Sequence, residues 1–149
     1  MIITFTGHSI IPSDPKIKAA TQQQIENNIL TSEPFICYLG GYGNFDNLCA
    51  HICNELKQKY SNIEIAYITP YISSEKSKIQ NLNIFDYSVY PPIENTPQRF
   101  AISKRNEWMI CRSDIVIAYV DHNWGGAYKS LQIAKRKKKK IINIYDFLK

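Results

Sequence analysis

The chain has 149 residues, a formal net charge of +5 and 44% hydrophobic residues. This length and composition are typical of one soluble globular domain with a substantial core, and no apolar run is long enough to cross a bilayer. We therefore predict a single domain over residues 1–149 and exclude a membrane protein. The first residues read as a strand without a basic leader, so we expect a cytoplasmic location.

Short apolar runs alternate with segments of helical periodicity. Strands are predicted at residues 1–6, 35–39, 63–69, 84–89, 114–120 and 141–145. Helices are predicted at residues 16–30, 45–56 and 127–134, and from Pro97, after a cap at Thr96, to about residue 112. A helix over residues 73–82 is left undecided, because the sequence pattern is weakest over residues 71–96. The Tyr90-Pro91-Pro92 run is predicted to be irregular. This alternation predicts a three-layer α/β fold with a mostly parallel sheet and helices on both faces.

The cysteines show neither a C-x-x-C pair nor a disulfide spacing: Cys37, Cys49, Cys53 and Cys111. Two of them, Cys49 and Cys53, share a helix face where cysteine acts as a small hydrophobe. His51 points away from both on a helix, so the three do not converge on a metal ion. We expect reduced, structural cysteines, no metal ligands and no cofactor.

The segment of residues 35–56 organises the prediction, because a strand, a glycine loop and a helix follow one another. Gly40, Gly41 and Gly43 permit a tight turn. Such a loop directs backbone N–H groups and the positive end of the helix dipole at one point, which suits a phosphate. Asp46 stands where the dinucleotide fingerprint requires its third glycine, and the Walker lysine is missing, so a standard NAD or FAD site and a P-loop nucleotidase are rejected.

Asp46, in the first turn of that helix, has two interpretations. It accepts hydrogen bonds from ribose hydroxyls beside a bound phosphate, or Asn44 or Asp46 merely caps the helix. Caps are commoner than ligand sites, but three nearby glycines exceed what a cap needs. Both interpretations stay open.

Much of the positive charge lies in residues 135–140, K-R-K-K-K-K. Such a block is typical of nucleic-acid binding or of the solvated last turn of a helix, where cations suit the negative end of the dipole. An apolar strand begins directly afterwards at Ile141. We therefore favour the helix end and do not expect nucleic acid as a partner.

Ligands of parallel α/β sheets bind at the carboxyl ends of the strands. Three predicted loops lie there: Gly7-His8, residues 40–46 and residues 121–126. His8 is either an acid or base near neutral pH or a polar cap on the core. Asp121 follows a buried strand and is a functional carboxylate or a turn cap. Tyr42 and Trp124 either stack on a base or fold back onto the core.

The order of these motifs resembles the SLOG superfamily, which includes LOG-type nucleotide phosphoribohydrolases, the DprA Rossmann domain and YpsA-like proteins. The resemblance rests on T-G-H after the first strand, G-G followed by Asp46, R-N in a helix, the run DIVIAYV, and G-G-A before the last helix. It covers nearly the whole chain and is strongest for the small single-domain YpsA-like branch. It implies a Rossmann-like fold that binds nucleotides or nucleotide-derived ligands.

Carried over by position, the resemblance implies three parts of a site. These are a phosphate–ribose loop of Gly40, Gly41 and Asp46, a pocket-facing pair of Arg105 and Asn106, and a glycine wall of Gly125 and Gly126. Related loops often read G-G-x-x-G-x-D; here the glycine is at position 43 and Asn44, which tolerates left-handed backbone, takes the expected glycine place. The residues alone favour another reading of Arg105, as a surface side chain or the partner of Glu107 or Asp114.

The phosphoribohydrolase branch carries a P-G-G-x-G-T-x-x-E run, whereas residues 123–130 read N-W-G-G-A-Y-K-S. That catalytic glutamate is therefore not evident. We expect a module that binds or senses a nucleotide-like small molecule, with a homo-oligomer left open. The alternatives are a nucleotide N-glycosidase, with Asp46, Asp121 or His8 as catalytic candidates, and a nucleic-acid binder by analogy to DprA.

Overall fold

The computed structural model of the chain describes residues 1–71 and 82–148. Within these residues six strands form one sheet: β1 (Ile2–Gly7), β2 (Phe35–Leu39), β3 (Ile63–Ile68), β4 (Tyr87–Val89), β5 (Ile115–Tyr119) and β6 (Lys140–Asn143). Their order across the sheet is β4-β3-β2-β1-β5-β6, and every pairing is parallel. The chain therefore grows outward from β1 to β4 and then returns to the other side of β1, which creates a switch point between β1 and β5.

Helices cover both faces of the sheet, as predicted. They are α1 (Pro15–Glu26), α2 (Asn44–Lys59), α3 (Ala101–Arg112) and α4 (Gly126–Arg136). The helices α1 and α2 pack with one side of the strands, and α3 and α4 pack with the other. The strand β5 shows why its sequence is apolar throughout. Ile115 and Ile117 enter the core under α1 and α2, whereas Val116 and Ala118 enter the cores under α3 and α4.

Two elements end earlier than predicted, because side-chain amides replace backbone groups as hydrogen-bond partners at their ends. The first helix ends at Glu26 rather than residue 30, because Asn28 Nδ2 donates to the carbonyl oxygen of Gln24 and closes the last turn. The last strand ends at Asn143 rather than residue 145. Its side chain bonds the N–H and the carbonyl of Val120, which ends the ladder and leads into the 3-10 helix Ile144–Leu148.

The structure also differs from the prediction around residues 84–100. The strand predicted at residues 84–89 begins only at Tyr87, since Asp86 uses its carboxylate to accept the N–H of Ile65 at 2.8 Å. The helix predicted from Pro97 begins as a 3-10 helix, Gln98–Phe100, and becomes α-helical at Ala101. The sequence left a helix over residues 73–82 undecided. Residues 73–81 lie outside the part of the chain that the structure describes, and Leu82 begins a 3-10 helix, Leu82–Ile84.

The predicted small-hydrophobe role of cysteine applies to three positions. Cys37, Cys49 and Cys53 are free and buried in the core under α1 and α2, whereas Cys111 is free and exposed. Burial raises the pKa of the Cys49 thiol well above its ordinary value, so that thiol stays protonated at neutral pH. None of the helices in the described ranges is long and apolar enough to cross a membrane.

Candidate functional site

A cavity of about 430 Å³ opens at the carboxyl ends of the strands, beside the switch point. The loops after β1, β2 and β5 and the first turns of α3 form its walls. It is lined by eight of the residues that the sequence predicted for a site: Gly7, His8, Gly40, Asp46, Arg105, Asn106, Gly125 and Gly126. The structure brings four others near this edge without adding them to the lining: Gly41, Gly43, Asn44 and Asp121.

The loop after β2 is fixed by the loop after β1. Gly41 and Gly43 have φ angles of 73° and 94°, which only glycine adopts without strain. The Asn44 N–H donates to the carbonyl oxygen of Ser9 at 2.8 Å. A Cβ on Gly43 would lie 3.0 Å from Ser9 Cα. Two glycines therefore supply the left-handed backbone, and Asn44 is instead the first residue of α2.

Asp46 is enclosed by the same glycine loop. Its Oδ2 accepts the N–H of Gly40 at 3.0 Å. Burial raises the pKa of this carboxyl to about 6, although Arg105 and the N–H groups of Tyr42, Gly40 and Gly41 oppose the shift. The loop N–H groups that we expected to face a phosphate therefore face the carboxylate of Asp46.

Arg105 is buried and links the ends of two strands by hydrogen bonds, so it is not a surface residue. Only 4% of it is exposed, and its Nη1 donates to the carbonyl oxygens of Gly40 at 3.0 Å and Ile68 at 2.8 Å. Its Nε donates to Asn106 Oδ1 at 2.9 Å. A Cβ on Gly40 would lie 3.0 Å from the guanidinium carbon, so glycine is needed there for this close approach.

The alternative partners considered for Arg105 make other contacts. Glu107 lies 3.8 Å from Lys104 Nζ, and Asp114 Oδ2 accepts the N–H of Ile2 at 2.8 Å. Arg105 instead lies beside Asp46, whose charge raises the pKa of the guanidinium while burial lowers it more. The pair places a buried positive charge and a partly buried negative charge at the floor of the cavity.

A second cluster lies where β1 and β5 end. His8 is 8% exposed, and its ring stacks on that of His122 with a centroid distance of 3.6 Å. Asp121 Oδ1 lies 3.1 Å from His8 Nε2 and 2.6 Å from His122 Nδ1. The Trp124 ring packs on the other side of His122 at 3.8 Å. The sequence reasoning missed His122, although its place directly after Asp121 in the third loop was a signal.

Large apolar side chains surround the mouth of the cavity. Tyr42 is 79% exposed and Trp124 is 65% exposed, so neither folds back onto the core. Ile10 and Ile102 are also exposed and line the same cavity. An apolar rim around a polar floor is typical of a small-molecule site.

The sequence matches no protein-family model and no curated protein. The structure is similar to DNA processing protein A (DprA) from Streptococcus pneumoniae, with 13% identity and a TM-score of 0.63, over 93% of this chain and 48% of that one. It is also similar to DprA from Helicobacter pylori, with 14% identity and a TM-score of 0.62, over 99% and 71%. A third similar structure is TM1055, a structural-genomics target, with 10% identity and a TM-score of 0.60, over 99% and 79%.

These likenesses concern the fold. The chain spans about half the length of the Streptococcus pneumoniae protein, and the identities lie far below the level at which function is shared. The six parallel strands and the helices on both faces agree with the architecture that the resemblance implied. The chain therefore has a three-layer, Rossmann-like α/β fold similar to that of DNA processing protein A.

Proposed function

We propose that this is a cytoplasmic protein that binds a nucleotide or a nucleotide-derived ligand in the cavity at the switch point. The observation that carries the proposal is the set of groups lining one cavity of about 430 Å³: a carboxylate, a glycine-opened helix start and exposed aromatic rings. Each group matches one part of a nucleotide.

The first residues of α4 suit the phosphate. Gly125 precedes the helix with a φ of 92°, and no side chain caps its first turn. A Cβ on Gly126 would meet no atom within 4 Å, so the cavity is open beside this backbone. Free N–H groups and the positive end of an 11-residue helix favour an anion. We assign the phosphate here because the N–H of Gly40, in the other glycine loop, already has Asp46 as its acceptor.

Asp46 and the exposed rings suit the rest of the ligand. The carboxylate of Asp46 uses Oδ2 to accept the Gly40 N–H, and its residue lines the cavity. A hydroxyl donor of a ribose is the natural partner for a carboxylate near a phosphate, because it supplies a charge-assisted hydrogen bond. Trp124 and Tyr42 offer flat faces for a base.

A methyl group at Gly126 tests the phosphate position. We expect Gly126→Ala to fold with an unchanged melting temperature, since its Cβ meets no neighbour. We expect it to weaken binding of nucleoside monophosphates by about ten-fold or more, because the backbone can no longer approach the phosphate closely. Isothermal titration calorimetry with purine and pyrimidine monophosphates measures the effect.

The matched control for that experiment is Lys135→Ala, at the exposed far end of the same helix. It should bind as the wild type does. Nucleosides without phosphate should show no difference between wild type and Gly126→Ala. Equal monophosphate affinities for wild type and Gly126→Ala would contradict the phosphate assignment, and no binding of any nucleotide to the wild type would contradict the proposed function.

A nucleotide N-glycosidase is the second candidate, and one observation favours it. The Asp46 carboxyl lines the cavity and burial raises its pKa to about 6, so protonated and ionised forms coexist near neutral pH, as a general acid requires. Release of free base from nucleoside monophosphates, followed by chromatography, separates catalysis from binding alone.

Nucleic-acid binding is considered separately, because DprA from Helicobacter pylori, which has a similar fold, binds single-stranded DNA. In this chain the basic run lies far from the cavity. The helix α4 starts at the cavity and runs about 16 Å before Lys135 and Arg136 form its last turn. Lys139 Nζ donates to the carbonyl oxygen of Cys111, at the end of α3. The run is therefore at the amino edge of the sheet, opposite the cavity.

Charge reversal in this run should leave the cavity unaffected. We expect Lys137→Glu with Lys139→Glu to keep the wild-type affinity for nucleoside monophosphates, because an exposed charge is screened within about 8–10 Å at physiological salt. Calorimetry and circular dichroism check the two parts of the prediction. A loss of nucleotide binding in a double variant with an unchanged spectrum would contradict it. Single-stranded DNA binding that weakens steeply with salt and disappears in this variant would instead identify the run as a phosphate-contacting surface.

A further inference from the structure

We propose that His8, Asp121 and His122 form a binding site for one divalent transition-metal ion of the Zn²⁺ and Co²⁺ type on the wall of the cavity. The inference does not depend on the ligand that the cavity takes. Its test uses the metal alone, so its failure would leave the proposed function unchanged.

Three metal-binding atoms converge in this cluster. His8 Nε2, His122 Nδ1 and a carboxylate oxygen of Asp121 all lie within 4.8 Å of one another. Ligands around a tetrahedral zinc ion with bonds of about 2.0–2.1 Å are about 3.3 Å apart. The His8–Asp121 separation of 3.1 Å is close to that value. His122 is stacked on His8 and partly exposed, so its ring must rotate out of this stack to bring in the third atom.

The hydrogen bonds around His8 point to a neutral imidazole. The backbone N–H of Asp121 donates to His8 Nε2 at 3.1 Å, so this nitrogen is an acceptor and the ring proton is on Nδ1. Asp121 Oδ1, a second acceptor, lies 3.1 Å from the same nitrogen. A metal ion would replace the Asp121 N–H as the partner of this lone pair, and its positive charge would remove the repulsion between the two acceptors. Neutral imidazole is also the form that binds metals.

The protein fold holds these ligands on rigid supports. His8 directly follows β1. The neighbouring strand β5 ends at Tyr119, and Val120 then separates it from Asp121 and His122. The His8 N–H donates to the carbonyl oxygen of Tyr119 at 3.3 Å, which ties the two strand ends together. His8 is buried, whereas Asp121 is exposed and His122 is partly exposed. The buried histidine next to a strand end therefore loses the least conformational entropy on binding an ion.

The donor set selects the class of metal. Two imidazoles and one carboxylate are the ligands of several catalytic zinc sites and of non-haem iron sites, and they leave at least one coordination position open. Because His8 and His122 both line the cavity, that open position faces the cavity, where water or an anionic ligand atom can fill it.

Cobalt(II) titration of the purified protein tests the site, because d–d absorption bands report coordination directly. A Cys111→Ser background removes the one cysteine that is exposed among the four. We expect one Co²⁺ per chain, competed by Zn²⁺, with a change in tryptophan emission as His122 leaves its contact with Trp124, 3.8 Å away. His122→Ala and His8→Ala should bind more than about 100-fold more weakly, since even supporting residues around a metal cost 10- to 100-fold.

The chain supplies a matched control in its third histidine, His51, which is exposed on α2. His51→Ala should bind Co²⁺ as the background protein does. Metal-free thermal melts of each variant verify folding, and His122→Ala is the decisive variant because His122 is only partly buried. Co²⁺ binding by His122→Ala equal to the background would overturn the proposal, as would the lack of saturable binding to the background protein.

Discussion

Replacing Arg105 by alanine is expected to lower the free energy of unfolding by about 3–5 kcal/mol, because it removes a buried charge that holds several partners. Nη1 bonds the carbonyl oxygens of Gly40 and Ile68 at once, and charge-assisted bonds contribute about 1.5–3 kcal/mol each. The change also leaves the partly buried carboxylate of Asp46 without its neighbouring cation. Urea unfolding followed by circular dichroism measures the loss.

Arg112 supplies the control for that experiment. It is exposed on the same helix and lies over the Trp108 ring with its guanidinium carbon 5.0 Å from the centroid. Arg112→Ala should cost about 0.5–1 kcal/mol, the value of an exposed cation–π contact. Arg105→Lys keeps the charge but has no Nε donor for Asn106, so its stability should lie between wild type and Arg105→Ala. Equal stabilities of Arg105→Ala and Arg112→Ala would contradict the role of Arg105 as a tie between strand ends.

The sheet and the edge that carries the cavity could be predicted because they depend on local patterns. Strand β2 has the predicted limits, Phe35–Leu39, since a proline and a glycine bound a short apolar run. The run at β5 predicted a strand covered on both faces, and its alternate residues do enter cores on both sides. Parallel order then places the loops after β1, β2 and β5 at one edge.

The contacts inside the site could not be predicted, because they join residues that are far apart in the chain. Arg105 looks like a surface residue in its helix, and only the packing of α3 against β1 and the ends of β2 and β3 makes it a buried donor to Gly40 and Ile68. His8 and His122 meet only because β1 and β5 are neighbours in the sheet. A helix period or a strand alternation carries no information about such pairs.

Asp46 has a contact that neither interpretation of its sequence position predicted. The sequence offered a helix cap or a ribose ligand, and the structure has the carboxylate accept the N–H of Gly40, six residues earlier. It therefore stabilises the glycine loop and does not cap α2, whose first turn has no side-chain cap, and it still lines the cavity. Both roles are testable, since one affects stability and the other affects ligand affinity.

The pH dependence of stability reports how strongly burial disfavours the ionised carboxylate of Asp46. The pKa of Asp46 in the folded protein, about 6, is above the ordinary value of 3.8, so the folded state holds the proton more tightly than the unfolded state does. Stability from this group is therefore present at low pH and is lost as the pH rises from about 4 to about 6. Asp46→Asn does not titrate, so the wild type should lose stability relative to Asp46→Asn across that range and then stay level.

Ligand affinity reports the second role. We expect Asp46→Ala to weaken binding of a nucleoside monophosphate by about ten- to hundred-fold, the effect of losing one charge-assisted hydrogen bond of about 1.5–3 kcal/mol to a ribose hydroxyl. The same change should lower the free energy of unfolding by about 1–3 kcal/mol, because the Gly40 N–H loses its acceptor. Calorimetry at pH 7.5 and a thermal melt measure the two effects separately.

The 2′-deoxy ligand should be less sensitive to Asp46→Ala than the ribonucleotide, since it lacks one of the two hydroxyl donors. A lowered melting temperature with unchanged affinity would remove the ligand role and leave Asp46 as a support of the glycine loop.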